Sequence, residues 1–190
     1  MATRRPQHLP SHHHLRRRGW VVAIIVVLAV FGAATARLFI WPDLEPIPRR
    51  VDAIIELAGS ANDRRDRLAL DLARDHRAGF LVQSTTRTEA GTSTCLPPVA
   101  GVTILCFHAD PASTRGEAQY IAAAAARYGW RSVILVTTPD QAWRARLRTT
   151  RCFPGDVYSA TAPLPPPSWL RQVPYQWAAT VKALTFERSC

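Results

Sequence analysis

The chain has 190 residues, with 24 Lys and Arg against 14 Asp and Glu and a formal charge of +10. That length favours one domain plus an appendage, and that charge would suit nucleic acid only if it belonged to the folded part. Residues 1–19 hold five Arg (Arg4, Arg5, Arg16, Arg17, Arg18) and no acid, whereas residues 51–190 hold 16 basic and 12 acidic side chains, a net of +4; no zinc-finger spacing and no dense basic helical stripe occurs, so no nucleic-acid partner is expected.

Residues 1–19 read as a basic cytoplasmic leader. The His12-His13-His14 cluster within it reads as part of a disordered polar arm in preference to a metal site. Trp20 to Ala36 then runs 17 residues without a charged side chain, and the apolar character resumes beyond Arg37 in Leu38-Phe39-Ile40-Trp41. Arg37 can extend its head to the interface, so residues 20–41 form a span of adequate length with a Trp at each end. Five Arg before the span against Arg37, Arg49 and Arg50 after it place the N-terminus in the cytoplasm and the rest outside. The rival is a cleaved signal peptide, with Trp20–Phe31 as the apolar region and Ala34-Thr35-Ala36 as an A-x-A site. The Arg17-Arg18 pair sits in an otherwise poor twin-arginine context. Anchor and signal alike export the domain: single-pass in the plasma membrane in one case, secreted in the other. Residues 42–50, with Pro42, Pro46 and Pro48, read as an extended spacer holding the domain off the bilayer.

Residues 51–190 alternate between strand and helix patterns. Asp52–Ala58 reads as a buried strand ending at Gly59-Ser60. Asp63–His76 is helical by the spacing of Leu68, Ala69, Leu72 and Ala73. Phe80–Ser84 and Val102–Phe107 are further strands; Thr114–Tyr128 is a helix capped by Gly129. Ser132–Thr137 is an apolar, β-branched run suited to the middle of a parallel sheet. Gln141–Thr150 is helical, Val157–Ser159 is a fifth strand, and Ser168–Arg188 closes the chain as a helix interrupted near Pro174. The expected fold is α/β and Rossmann-like, a mostly parallel sheet with helices on both faces.

In such a sheet ligands bind beyond the carboxyl ends of the strands. The residues there are Gly59, Ser60 and Asn62; Ser84, Thr85 and Thr86; His108 and Asp110; Thr137, Thr138 and Asp140. Small hydroxyls, backbone amides and helix N-termini suit an anionic ligand. Arg67 lies one turn into the first helix and reaches either such a ligand or a surface salt bridge. Arg144 holds the same place after the fourth strand and is the first choice for ligand contact. Thr114 and Glu117 have capping-box spacing, as do Thr86 and Glu89, which accounts for them structurally as readily as a ligand would. His108 and Asp110 read as loop residues, and Trp143, Trp169 and Trp177 as packing residues. No P-loop and no G-x-S-x-G elbow occurs.

Four cysteines in an exported domain favour disulfides, with three pairings possible. No CxxC occurs and no spacing suits zinc, so no metal site is expected. Cys95 and Cys106 flank a short Pro-containing excursion, while Cys152 and Cys190 each end a helix at one end of the sheet. Cys95–Cys106 with Cys152–Cys190 is therefore the preferred pairing, the alternative being free buried thiols.

Asp52–Gly59 followed by Arg67–Leu72 resembles the opening strand, glycine turn and Arg-bearing helix of the YdcF-like family, which includes SanA/ElyC-type envelope proteins. Phe80–Ser84 is similar to the family's second strand, and Ser113–Ala118 to its Thr-x-Glu-Asn-Ala segment. Val136-Thr137-Thr138-Pro139-Asp140-Gln141-Ala142-Trp143-Arg144-Ala145 resembles its Val-Thr-Ser-x-x-His-x-x-Arg-Ala segment. The likeness covers about residues 51–160. Ser60 and Thr85 replace family glycines, Gly116 stands where an acid is usual, and Gln141 replaces a His. Gln cannot act as an acid or base near neutral pH. The resemblance implies a Rossmann-like domain serving cell-envelope biogenesis and barrier function, in a family with one member reported to bind S-adenosylmethionine and with no agreed reaction; it assigns this chain no cofactor.

Three functions follow. The first is a membrane-anchored extracytoplasmic envelope factor that binds an anionic small molecule or envelope precursor. Gly59, Ser60, Arg67, Ser84, Thr114, Glu117, Thr138 and Arg144 would line its site. The second is an envelope transferase or hydrolase, and the third a non-catalytic scaffold.

Overall fold

A computed structural model describes residues 12–59, 62–85, 87, 88, 91, 92 and 95–190. Ser60, and Thr86 with Glu89, lie outside the described residues, as do the side chains of His12–His14.

Helix α1 spans His12–Thr35 and continues as a π-helical turn over Ala36–Ile40. The helical backbone thus begins inside the basic leader, where an unstructured arm was expected. Arg17–Ile40 is long and apolar enough to cross a membrane, with a mean hydropathy of 2.4 over its best window. A signal sequence has the same properties.

The domain is built from β1 (Ala53–Glu56), α2 (Asn62–Arg74), β2 (Phe80–Ser84), a small antiparallel hairpin β3 (Arg87–Thr88) and β4 (Gly91–Thr92), and β5 (Thr103–Phe107). It continues with α3 (Thr114–Tyr128), β6 (Ser132–Thr137), α4 (Pro139–Cys152), β7 (Asp156–Thr161) and α5 (Trp169–Thr185), the last preceded by a 3₁₀ turn over Pro166–Ser168. Five strands form one sheet in the order β5-β2-β1-β6-β7, every neighbouring pair parallel. The expected α/β class with a parallel sheet is therefore present. The hairpin is an addition that periodicity does not reveal, because two-residue strands are too short to alternate.

The chain lays strands outward from β1 to one edge, then returns to build β6 and β7 on the other side. The reversal falls between β1 and β6, whose register pairs Ala53 with Val133 and Glu56 with Val136. Both central strands are buried on both faces, which explains their continuous apolar runs. Alternation divides the core in two. Ala53, Ile55 and Leu57 pack with Ile121, Ala124 and Ala125 of α3 and Ala145 of α4. Ile54 packs on the opposite face with Ala69, Leu70 and Ala73 of α2. Helix α5 lies on α4.

Two local expectations change. Ser113, not Thr114, caps α3, its hydroxyl accepting from the Gly116 N–H at 3.3 Å. Helix α5 passes through Pro174 without interruption. The spacer also differs from a stand-off. Arg77 donates to the Pro48 carbonyl at 2.7 Å, Ile47 packs on the α2 side of the core, and Arg146 pairs with Glu45. These contacts lay residues 45–48 along the domain, since a Pro-rich segment offers carbonyls with few competing N–H groups.

Disulfides join Cys95 to Cys106 and Cys152 to Cys190. The second ties the end of α4 to the C-terminus. Arg148 adds a bond to Glu187, and Arg151 donates to the Ala183 carbonyl at 2.8 Å. Helix α5 is thereby clamped over α4.

Candidate functional site

The carboxyl ends of the strands surround a cavity of about 930 Å³. Ala58 and Gly59 enter it from β1, Ser84 and Thr85 from β2, and His108 and Asp110 from the segment after β5. Thr114 and Glu117 come from the first turn of α3; Thr138, Asp140, Gln141 and Arg144 come from the start of α4. Arg171, Gln172, Tyr175 and Gln176 of α5 form the remaining wall. Two helices of 15 and 14 residues therefore begin at the cavity, with their unpaired N–H groups and positive dipole ends near it.

Arg144 is the organising cation. It is buried, and its Nη1 donates to the Thr114 hydroxyl at 2.6 Å while Nε donates to Gln176 Oε1 at 3.0 Å. Gln176 in turn donates through Nε2 to Asp140 Oδ2 at 2.9 Å. This chain ties α3, α4 and α5 together at the cavity. A guanidinium has five N–H donors, so two partners leave capacity for an anion. Asp140 Oδ1 is buried without a hydrogen-bond partner among the described residues.

Glu117 is buried, and its Oε1 accepts from the Ala58 N–H at 2.7 Å. Burial raises its pKa above the ordinary carboxyl value, opposed by the Ser84 hydroxyl, the Ala58 N–H and the Arg65 and Arg144 guanidiniums. Glu117 thus spans α3 and the β1 turn and does not close the capping box expected of it.

Gly59 has φ +143°, and a Cβ there would approach Gln141 Oε1 at 3.2 Å and Arg65 Nη1 at 3.4 Å. A side chain is opposed both by the backbone conformation and by space. His108 Nδ1 lies 2.9 Å from Thr85 Oγ1 and 3.0 Å from its carbonyl oxygen, fixing the ring against the end of β2.

Six of the residues expected from the sequence meet here: Gly59, Ser84, Thr114, Glu117, Thr138 and Arg144. Arg67 does not. It is exposed on α2 and lines no part of the cavity, while Arg65 is fully buried, with Nη1 on the Leu57 carbonyl. Residues two apart on a helix point to different sides, so the inward Arg had to be 65 or 67 and not both. The four α5 residues were missed. Their signal was a polar stripe at 171, 172, 175 and 176, one face by helical spacing, but nothing local says that this face meets the strand ends. His108 and Asp110 belong to the loop as expected, yet also line the cavity. Trp177 packs between Phe31 of α1 and Phe39 of the following π-helical turn, away from the lining. Among the described residues, no cluster of three or more His, Cys, Asp or Glu side chains could hold a metal.

In comparisons with known proteins, no family model, curated protein or solved structure matches the chain.

Proposed function

We propose that the chain is a single-pass plasma-membrane protein whose extracytoplasmic, Rossmann-like domain binds an anionic small molecule in the service of the cell envelope. The observation that carries the binding is Arg144, held by Thr114 and Gln176 where α3 and α4 both begin. A buried guanidinium beside two helix N-termini favours an anion over water, since the site supplies charge and fixed N–H donors together.

The Rossmann-like reading is supported by the strand order, which reverses between β1 and β6 beside the cavity, as ligand sites in such folds do. Kinship with the YdcF-like family, and with it the envelope role, rests on the motif residues Glu117, Thr138 and Arg144 and on their meeting at one cavity. The extracytoplasmic side rests on the Arg-rich leader and on the two disulfides.

Native mass spectrometry of the full chain in nanodiscs should find a co-purifying anion. Losing a charge-assisted hydrogen bond costs roughly 1.5–3 kcal/mol, so Arg144→Met should weaken binding of inorganic phosphate by about tenfold to a hundredfold. An empty cavity, with phosphate affinity unchanged in the variant, would refute the proposal. A catalytic reading is favoured by one feature, the buried carboxyl of Glu117 with its raised pKa, which is suited to a general acid. It requires that Glu117→Gln abolish turnover of a phosphate ester while leaving phosphate binding intact.

A further inference from the structure

Helix α5 faces the cavity with one side and carries an apolar stripe on another. Leu170 is 88% exposed, and Val181 and Leu184 are also exposed. Trp177 lies on the same side by helical spacing and is the point where α5 meets α1. Its ring stacks on Phe31 with centroids 5.1 Å apart and meets Phe39 edge-on at 5.3 Å. Its Nε1 donates to Thr35 Oγ1 at 3.0 Å. The stripe therefore runs beside the end of the apolar helix.

The length of α1 available to lipid makes this placement consequential. Between Arg18 and the first covered residue, Ala34, lie the exposed residues Gly19–Ala33. At about 1.5 Å per residue that stretch is about 22 Å, against a hydrocarbon core of about 30 Å. The next turn cannot supply the missing 8 Å or so alone, because Phe39 is fully buried against the domain. At that height the exposed apolar surface is Trp41, at the end of the turn, and the stripe of α5 beside it.

We propose that α5 is an interfacial helix, whose stripe of Leu170, Trp177, Val181 and Leu184 enters the lipid leaflet beside α1. The inference rests on reading α1 as a membrane span. The exposed Arg171, on the flank of the stripe, is then at the level of anionic headgroups, where a basic residue is favoured. Because Arg171 also lines the cavity, the ligand site lies directly above the lipid surface and moves with it.

The test uses the full chain in nanodiscs of phosphatidylcholine and phosphatidylglycerol that contain a lipid with a diazirine on its acyl chain. After illumination, label should map to residues 20–31 and to residues 170–184. Leu170→Glu, at a side chain too exposed to affect folding, should cut α5 labelling severalfold and leave α1 labelling unchanged. Label on α1 with none on α5 would overturn the inference and leave the span standing. Label on neither would refute the span, and the inference with it. Cross-linked dimers whose α5 is shielded from label would replace lipid by a second copy of the chain.

Discussion

Glu56 sits on the central strand, 2% exposed, and faces the α2 layer. Burial raises its pKa from 4.5 to about 8, helped by the nearby Asp66 carboxylate and opposed by the Arg65 guanidinium. The consequence for folding has a definite sign. Below pH 4.5 both folded and unfolded chains hold the proton. Above it the unfolded chain releases the proton while the folded chain keeps it, so stability falls as pH rises, until folded Glu56 itself ionises near pH 8. At about 1.4 kcal/mol per tenfold in proton affinity, the full effect is about 5 kcal/mol, of which about 3–4 falls between pH 5 and 8. Glu56→Gln keeps the shape and removes the titration. Thermal unfolding of the full chain in nanodiscs, followed by Trp fluorescence, should show the variant gaining on the parent by roughly 10 °C in Tm from pH 5 to pH 8, at about 3 °C per kcal/mol. Parent and variant curves that stay parallel across that range would refute the reasoning. Other groups, Glu117 included, titrate in both proteins and cancel in the difference.

Three further outcomes are expected. Gly116, in the first turn of α3, lies against the 110–111 loop, where a Cβ would come 2.1 Å from the Pro111 carbonyl oxygen. Gly116→Ala should therefore cost about 1–3 kcal/mol and weaken phosphate binding, read by urea unfolding and calorimetry. Cys152→Ser with Cys190→Ser opens a cross-link of 38 residues; chain entropy then predicts a loss of about 4 kcal/mol, with faster hydrogen exchange in α5 than in α3. N-terminal sequencing of the mature protein should return the original start, whereas a start at Arg37 would establish cleavage after Ala36 and remove the anchor.

Much of the fold was legible because its signals are local. The apolar β-branched run of Ser132–Thr137 identified a central strand, and Gly129 marked the end of α3 with φ +74°. The ends of strands and the starts of helices then named Gly59, Ser84, Thr138 and Arg144 as neighbours, since a parallel sheet with alternating helices brings those ends to one side. The cysteine pairing chosen from that same placement is the one present in the structure.

What stayed hidden depended on the relative rotation and docking of elements. Arg65 and Arg67 are equivalent as composition; only the angle at which α2 meets the sheet turns the first inward. The polar stripe of α5 becomes a cavity wall because Arg144 and Gln176 bond across 32 residues of sequence, and its apolar stripe becomes meaningful because Trp177 meets Phe31 across the whole domain. Periodicity and composition along the chain dictate the five strands of the main sheet, the helices between them, their order, and the concentration of charge ahead of one apolar helix. Which side of each helix faces the cavity, the core or the N-terminal apolar helix depends on tertiary packing, because those choices minimise buried polar mismatch among residues distant in sequence.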